Sequence, residues 1–208
     1  MRLLKPVLVL TAVLIITAPA SAQVGVGAYF AFDLDAMAAQ KSFDAVLGTS
    51  NLKGFGGGVD VLNVWKGLFI RAAVTHASKE GNRAFVFNGQ AISLGVPIKV
   101  SMTPVEIDGG WRFFTASRVM PYVGGGLVLM RYSEKSTFAS SDENVSQTNR
   151  GFIVLGGVEV ALSRWFMTGV EAQYRRIPDA LGAAGVSQDF GETDLGGFTA
   201  RVLLGIMH

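Results

Sequence analysis

Cysteine is absent from the 208 residues, so the chain has no disulfide scaffold, thiol nucleophile or thiolate metal site. Histidine occurs only at His76 and His208, which excludes a histidine-rich metal centre and leaves at most two imidazole bases. Charged residues make up 16% of the chain, against about 25% in ordinary soluble domains. Half of the residues are hydrophobic, which is too many for a disordered chain. Basic residues outnumber acidic ones by 18 to 16. Arg2 and Lys5 lie in a segment expected to be removed, however, and without them the balance is neutral. Arg175-Arg176 is the one basic cluster, so the electrostatic footprint of a nucleic-acid partner is missing. After residue 22 no uncharged apolar run reaches the roughly 18–20 residues that a membrane helix requires.

The first 22 residues form an address label. A short positive start (Arg2, Lys5) precedes an apolar stretch at 7–18 and then Ala20-Ser21-Ala22, the small-x-small pattern read by signal peptidase. Cleavage is expected before Gln23, giving a leader at 1–22 and one domain at 23–208. An uncleaved anchor is the alternative, and the shortness of the apolar stretch argues against it.

The rest of the chain repeats a pattern of period two, the mark of strands with two different faces. In the first strand Val24, Val26, Ala28, Phe30, Phe32 and Leu34 alternate with Gly25, Gly27, Tyr29, Ala31 and Asp33. Phe55 to Val61 and Ile70 to Thr75 form a second and third strand around a tight turn at 63–67. Further strands are read around 105–113, 121–132, 152–162, 170–175 and 197–206. On the fifth, glycine and apolar residues occupy both faces and the phase stays open. Short turns (63–67, 115–119, 163–165) alternate with long polar segments (35–53, 77–101, 133–150, 178–196). That asymmetry after an export signal is the pattern of an all-β, eight-stranded antiparallel up-and-down transmembrane β-barrel with periplasmic turns and external loops. A bilayer tolerates no open sheet edge, so the sheet must close. A secreted β-sandwich shares the alternation, but low charge, a mean hydropathy of +0.38 and the turn asymmetry favour the barrel.

Glycine, at 26 residues, is well above its usual share of about 7%, as a narrow, strongly curved barrel requires. The face opposite the apolar stripe carries Asp60, Glu106, Asp108, Glu159 and Glu171 with Arg71, Arg112, Arg175 and Arg201. These nine residues are expected to form an ion-pair network that fills the lumen. Tyr29, Trp65, Trp111, Tyr122, Tyr132, Trp165 and Phe166, near strand ends, are expected in interfacial girdles. Residues 35–47 are the one candidate helix, in the first external loop, with Asp35 as its cap. In the second loop Phe85-Val86-Phe87, Asn88-Gly89 and Ile92-Ser93-Leu94 read as a hairpin standing above the membrane.

These residues resemble the bacterial outer-membrane β-barrel domain proteins, related in architecture to the small OmpA, OmpX and OmpW barrels. The resemblance is carried by Thr103-Pro104-Val105-Glu106, Gly109-Gly110-Trp111-Arg112-Phe113, Pro121-Tyr122-Val123-Gly124-Gly125-Gly126, Val154-Leu155-Gly156-Gly157-Val158-Glu159 and the Ser163-Arg164-Trp165 turn. It implies an integral outer-membrane protein with no cofactor, no metal and no catalytic residues. The terminal Gly205-Ile206-Met207-His208 departs from the aromatic ending usual in such barrels.

A non-enzymatic structural or surface-binding role with a closed lumen is therefore expected. The partners would be outer-membrane lipid and lipopolysaccharide, plus the barrel-assembly and periplasmic chaperone machinery during biogenesis, and the protein would be a monomer. Two alternatives stay open. One is a narrow passive channel for small, hydrophobic solutes, which Leu127 or Leu129 lining the lumen would favour. The other is a lipid A-modifying hydrolase using His76, Ser78 and Glu80, which share one strand face at i, i+2 and i+4. The pair Glu106 and Asp108 also has an acid/base or cation-site reading, against which the four arginines on the same face weigh. The glycine runs lack the GxGxxG spacing and a Walker lysine, so they are barrel glycines.

Overall fold

The computed structural model describes residues 24–136, 144–183 and 185–207. The segment 1–22, read above as a leader, lies outside them. Eight strands are present: β1 (Gly25–Met37), β2 (Asn51–Leu62), β3 (Leu68–Phe87), β4 (Gln90–Arg112), β5 (Val119–Lys135), β6 (Val145–Ala161), β7 (Phe166–Arg176) and β8 (Gly197–Met207). Helix α1 (Gln40–Leu47) follows β1, and a single turn of helix, α2 (Val186–Asp189), precedes β8. Each strand pairs antiparallel with the next, and β8 returns to β1 through Ala28↔Ile206 and Phe32↔Val202, so the barrel is closed.

The alternation decides what each strand shows to either side. Phe30 is 79% exposed and Leu127 70%, and they belong to a continuous outer belt with Phe55, Ile107, Val170 and Leu204. Charged side chains point the other way: Arg71, Glu159 and Arg201 are buried inside. A sandwich would bury the apolar face, so the sandwich alternative falls. On β5 the open phase resolves with Leu127 and Leu129 outside and Val128 and Met130 inside.

Of the four long segments, one is mostly strand and a second is narrowed by strand at both ends. β3 and β4 continue through 77–101 to a two-residue turn at Asn88 (φ 50°) and Gly89 (φ 76°). Positive φ at both positions is what a tight hairpin of this length requires, and Asn-Gly supplies it. The segment 133–150 is likewise shortened by β5 and β6 from both sides. Helix α1 begins five residues later than the sequence suggests, and Asp35 is not its cap. Asp35 sits in β1 with its side chain buried, held by Arg175 and Thr199. The helix start is capped from the other end of the chain: Glu192 accepts from the Lys41 and Ser42 amides at 3.1 and 2.8 Å and from Ser42 Oγ at 2.6 Å. A carboxylate there satisfies amides that otherwise lack partners and complements the helix dipole.

Inward glycines make room for two tyrosines that lie across the lumen. A Cβ at Gly58 would stand 2.5 Å from the Tyr29 hydroxyl, and one at Gly157 would stand 2.6 Å from both the Tyr122 hydroxyl and the Val170 carbonyl. At outward Gly156 the nearest atom would be 3.6 Å away. Gly157→Ala should therefore lower the unfolding free energy in lipid vesicles by about 1–3 kcal/mol, as overpacked sites do, whereas Gly156→Ala should be close to neutral. Equal effects in urea titrations of the two variants would refute this account of the glycines.

Candidate functional site

The lumen is organised around two buried guanidinium groups. Arg71 donates from Nε to Asp60 at 2.7 Å, from Nη1 to Glu171 at 2.5 Å and from Nη2 to Glu159 at 3.3 Å. The rings of Tyr29, Phe69 and Tyr122 surround it, with centroids 5.0–5.4 Å from its central carbon. Arg112 joins this group through Glu159 at 2.8 Å. Arg201 grips both oxygens of Asp33, at 2.7 and 2.9 Å, and reaches Glu106 at 3.0 Å. Arg175 bonds Glu106 at 3.0 Å and Asp35 at 3.1 Å. Glu171 links the two halves, lying 3.4 Å from Arg201 and accepting from the Tyr122 hydroxyl at 2.7 Å. Every strand contributes at least one of these side chains, so the network ties the barrel together around its whole circumference.

Apolar layers lie on either side of the charges. Towards the turns, Leu62, Phe69, Tyr122 and Leu155 pack together. Towards the loops, Met37, Phe43, Leu47, Met102, Met130 and Leu195 belong to a larger buried cluster that joins α1 and the segment before β8 to the wall. Between this roof and the charges, a cavity lined by Asp35, Thr75, Arg175 and Thr199 measures about 10 Å³, the room of one water molecule.

Above the roof lies an open cup of about 570 Å³, within the usual range of small-molecule sites. Phe43, Val46 and Leu47 of α1, Leu94, Ile98 and Val100 of β4, and Leu181 and Val186 before β8 form its apolar walls. Ser42, Arg83, Glu134, Gln147 and Ser187 are polar groups in its lining. Tyr132 lies at its floor and donates to Glu134. Gln147 is held by donating to the Ala180 carbonyl at 2.6 Å. The cup is lined by α1, by the loop-end parts of β3 to β6 and by the segment before β8.

No protein-family model matches the chain, and no curated protein does. Solved structures do match. The outer membrane protein OprG of Pseudomonas aeruginosa aligns with a TM-score of 0.56 at 12% identity, over 90% of this chain and 96% of its own. Neisserial surface protein A gives 0.51 at 18% identity, over 88% and 95%. Ail of Yersinia pestis, crystallised with the heparin analogue sucrose octasulfate, gives 0.52 at 10% identity, over 89% and 99%. The fold is that of the small outer-membrane β-barrels.

In this barrel, the nine residues singled out as a lumen network all point inward and are buried, but Asp108 stands apart. Neither of its carboxylate oxygens has a hydrogen-bond partner among the described residues, while Glu106, two residues away, binds two arginines. The two carboxylates therefore do not act as a pair. Asp33 and Asp35 complete the network and were missed. Asp33 alternates with the apolar residues of β1 in plain view, whereas Asp35 reads from sequence as a helix cap.

The aromatic residues divide by phase. Trp65, Trp111, Trp165 and Phe166 face outward at the turn end, with Trp65 edge-on to Trp111 at 5.8 Å between centroids. Tyr29, Tyr122 and Tyr132 are corrected: all three point into the barrel, Tyr29 in phase with Asp33 and Asp35, and Tyr122 and Tyr132 in phase with the buried Val128 and Met130. His76, Ser78 and Glu80 do share one face, the outer one. The His76 Nδ1 is engaged 2.9 Å from Thr103 Oγ1 on β4, and Glu80 sits opposite Lys99, so the three do not form a relay.

Removing one member of a buried ion pair strands its partner in a low-dielectric interior. Arg201→Ala should therefore cost about 3–5 kcal/mol of unfolding free energy in lipid vesicles. Asp108→Asn should cost nothing, because no cation holds that carboxylate. A loss at Asp108 as large as that at Arg201 would place it within the network.

Proposed function

We propose that the chain is an integral, non-enzymatic outer-membrane barrel with a closed lumen, and that its loop end binds a small, largely apolar ligand. The observation that carries the reading is the cup: a preformed, mostly apolar cavity with a few polar groups, standing on a sealed stave wall. The membrane setting rests on the outward belt. The apolar stretches 26–34, 119–129 and 198–206 have the length of about 9–11 residues with which a tilted strand crosses a bilayer. Export through the 1–22 leader places the short turns in the periplasm and the cup outside. The likeness to OprG, Neisserial surface protein A and Ail supports the same setting.

A passive channel is the second reading, and the phase of β5 weighs against it. Leu127 and Leu129, which would line an apolar path, face outward, and ion pairs occupy the space instead.

Indole, a small apolar molecule with one donor, is a suitable probe. Titrated into ¹⁵N-labelled protein folded in nanodiscs, it should shift the amides of Phe43, Leu47 and Leu181 saturably, with those of the turn end unmoved. Val46→Trp, which fills the cup, should abolish the shifts. Saturable shifts that persist in Val46→Trp, or that never appear in the parent, would overturn the reading.

A further inference from the structure

Beyond the apolar belt the outward-facing positions change character abruptly, and on three consecutive strands they do so in the same way. The first outward residue past the belt is Arg131 on β5, Arg150 on β6 and Arg176 on β7, each exposed. The register makes them neighbours. Arg131 pairs with Thr148, two residues from Arg150, and Arg176 pairs with Phe152, two residues from Arg150 on its other side. Diagonal positions of this kind are about 7–8 Å apart, within reach of long side chains.

None of the three arginines has a hydrogen bond or ion pair among the described residues, and no carboxylate shares the outward face of these strands. Lys135 lies further along the same face of β5, directly opposite Lys99 on β4. Lys99 has Glu80 opposite it on β3, so the positions left without an anion on the protein are those of Arg131, Arg150 and Arg176. Directly below, Phe152, Tyr174 and Phe198 are exposed side by side, Tyr174 being paired with Phe198.

We propose that Arg131, Arg150 and Arg176 form a docking site on the outer wall for a phosphorylated glycolipid of the outer leaflet. The site is distinct from the cup. Guanidinium groups match phosphate oxygens in two-point contacts. The aromatic ledge beneath takes the acyl chains, so head and tail of one amphiphile are recognised by adjoining parts of the wall. The inference rests on the outer-membrane orientation, because only loops on the outside bring this ring level with that leaflet's phosphates.

Purified lipid A is the probe, added to the full-length mature protein folded in detergent micelles and read by native mass spectrometry. Folding is scored separately by heat-modifiable gel migration. The parent should retain bisphosphorylated lipid A, and dephosphorylated lipid A should bind far more weakly. Changing all three arginines to glutamine should weaken retention by about a hundredfold, the effect expected of three cations at a lipid surface. Changing them to lysine, which keeps the charge but not the two-point geometry, should restore only part of it. If the triple glutamine variant fails to fold, Arg131→Gln and Arg176→Gln singly should each show a partial loss. Equal retention of the two lipids, or a folded glutamine variant that binds like the parent, overturns the proposal. A parent that does not fold in micelles at all would instead strike the outer-membrane reading itself.

Discussion

Among the described residues, seven carboxylates and four guanidinium groups are buried inside a barrel with an apolar outer belt. An ionised side chain persists in a low-dielectric interior only where it meets an opposite charge or a donor, and each of these groups except the Asp108 carboxylate does so. Arg71 and Arg201 meet that demand by each gathering acids from several strands, and Glu171 joins the two groups. The rest of the structure follows from this arrangement. Strands are held in register around the full circle, and inward glycines leave space for Tyr29 and Tyr122, whose rings flank Arg71 and the second of which donates to Glu171.

The ends of the barrel serve different purposes. At the turn end a small apolar layer and outward tryptophans finish the wall. At the loop end the strands run on past the belt, and helix α1 is drawn down onto the barrel by Phe43 and Leu47 below and by Glu192 at its start. The roof made in this way has a concave outer side. The same ion-paired frame that fills the mid-barrel therefore supplies a rigid base for a surface cavity, the usual division of labour between scaffold and loops.

The fold was legible because a two-residue period, interrupted by short turns, needs no knowledge of distant contacts. Strand ends were less so. Past the belt the outward residues of β3 to β6 become polar, and polar alternation looks like a loop until its hydrogen-bonded partner is known. Tyr29 can be placed by phase, since it is in step with Asp33; Tyr122 and Tyr132 cannot, because glycine and apolar residues on both faces of β5 leave its phase open until the strand is paired. Asp35 illustrates a true limit. A helix cap and a buried ion-pair partner use the same residue type, and only Arg175 and Thr199, some 140 or more residues away, decide between them. The arginines of the outer wall were visible in the sequence but scattered over 45 positions, and only the register of β5, β6 and β7 brings them together.

The central claim is that buried ion pairs and the apolar layers around them seal the barrel. Single-channel recording of the refolded mature protein in a planar bilayer, with insertion verified independently, tests it most directly. The account predicts a silent membrane. Stable, reproducible current steps from the parent protein would contradict it and would give the channel reading first place.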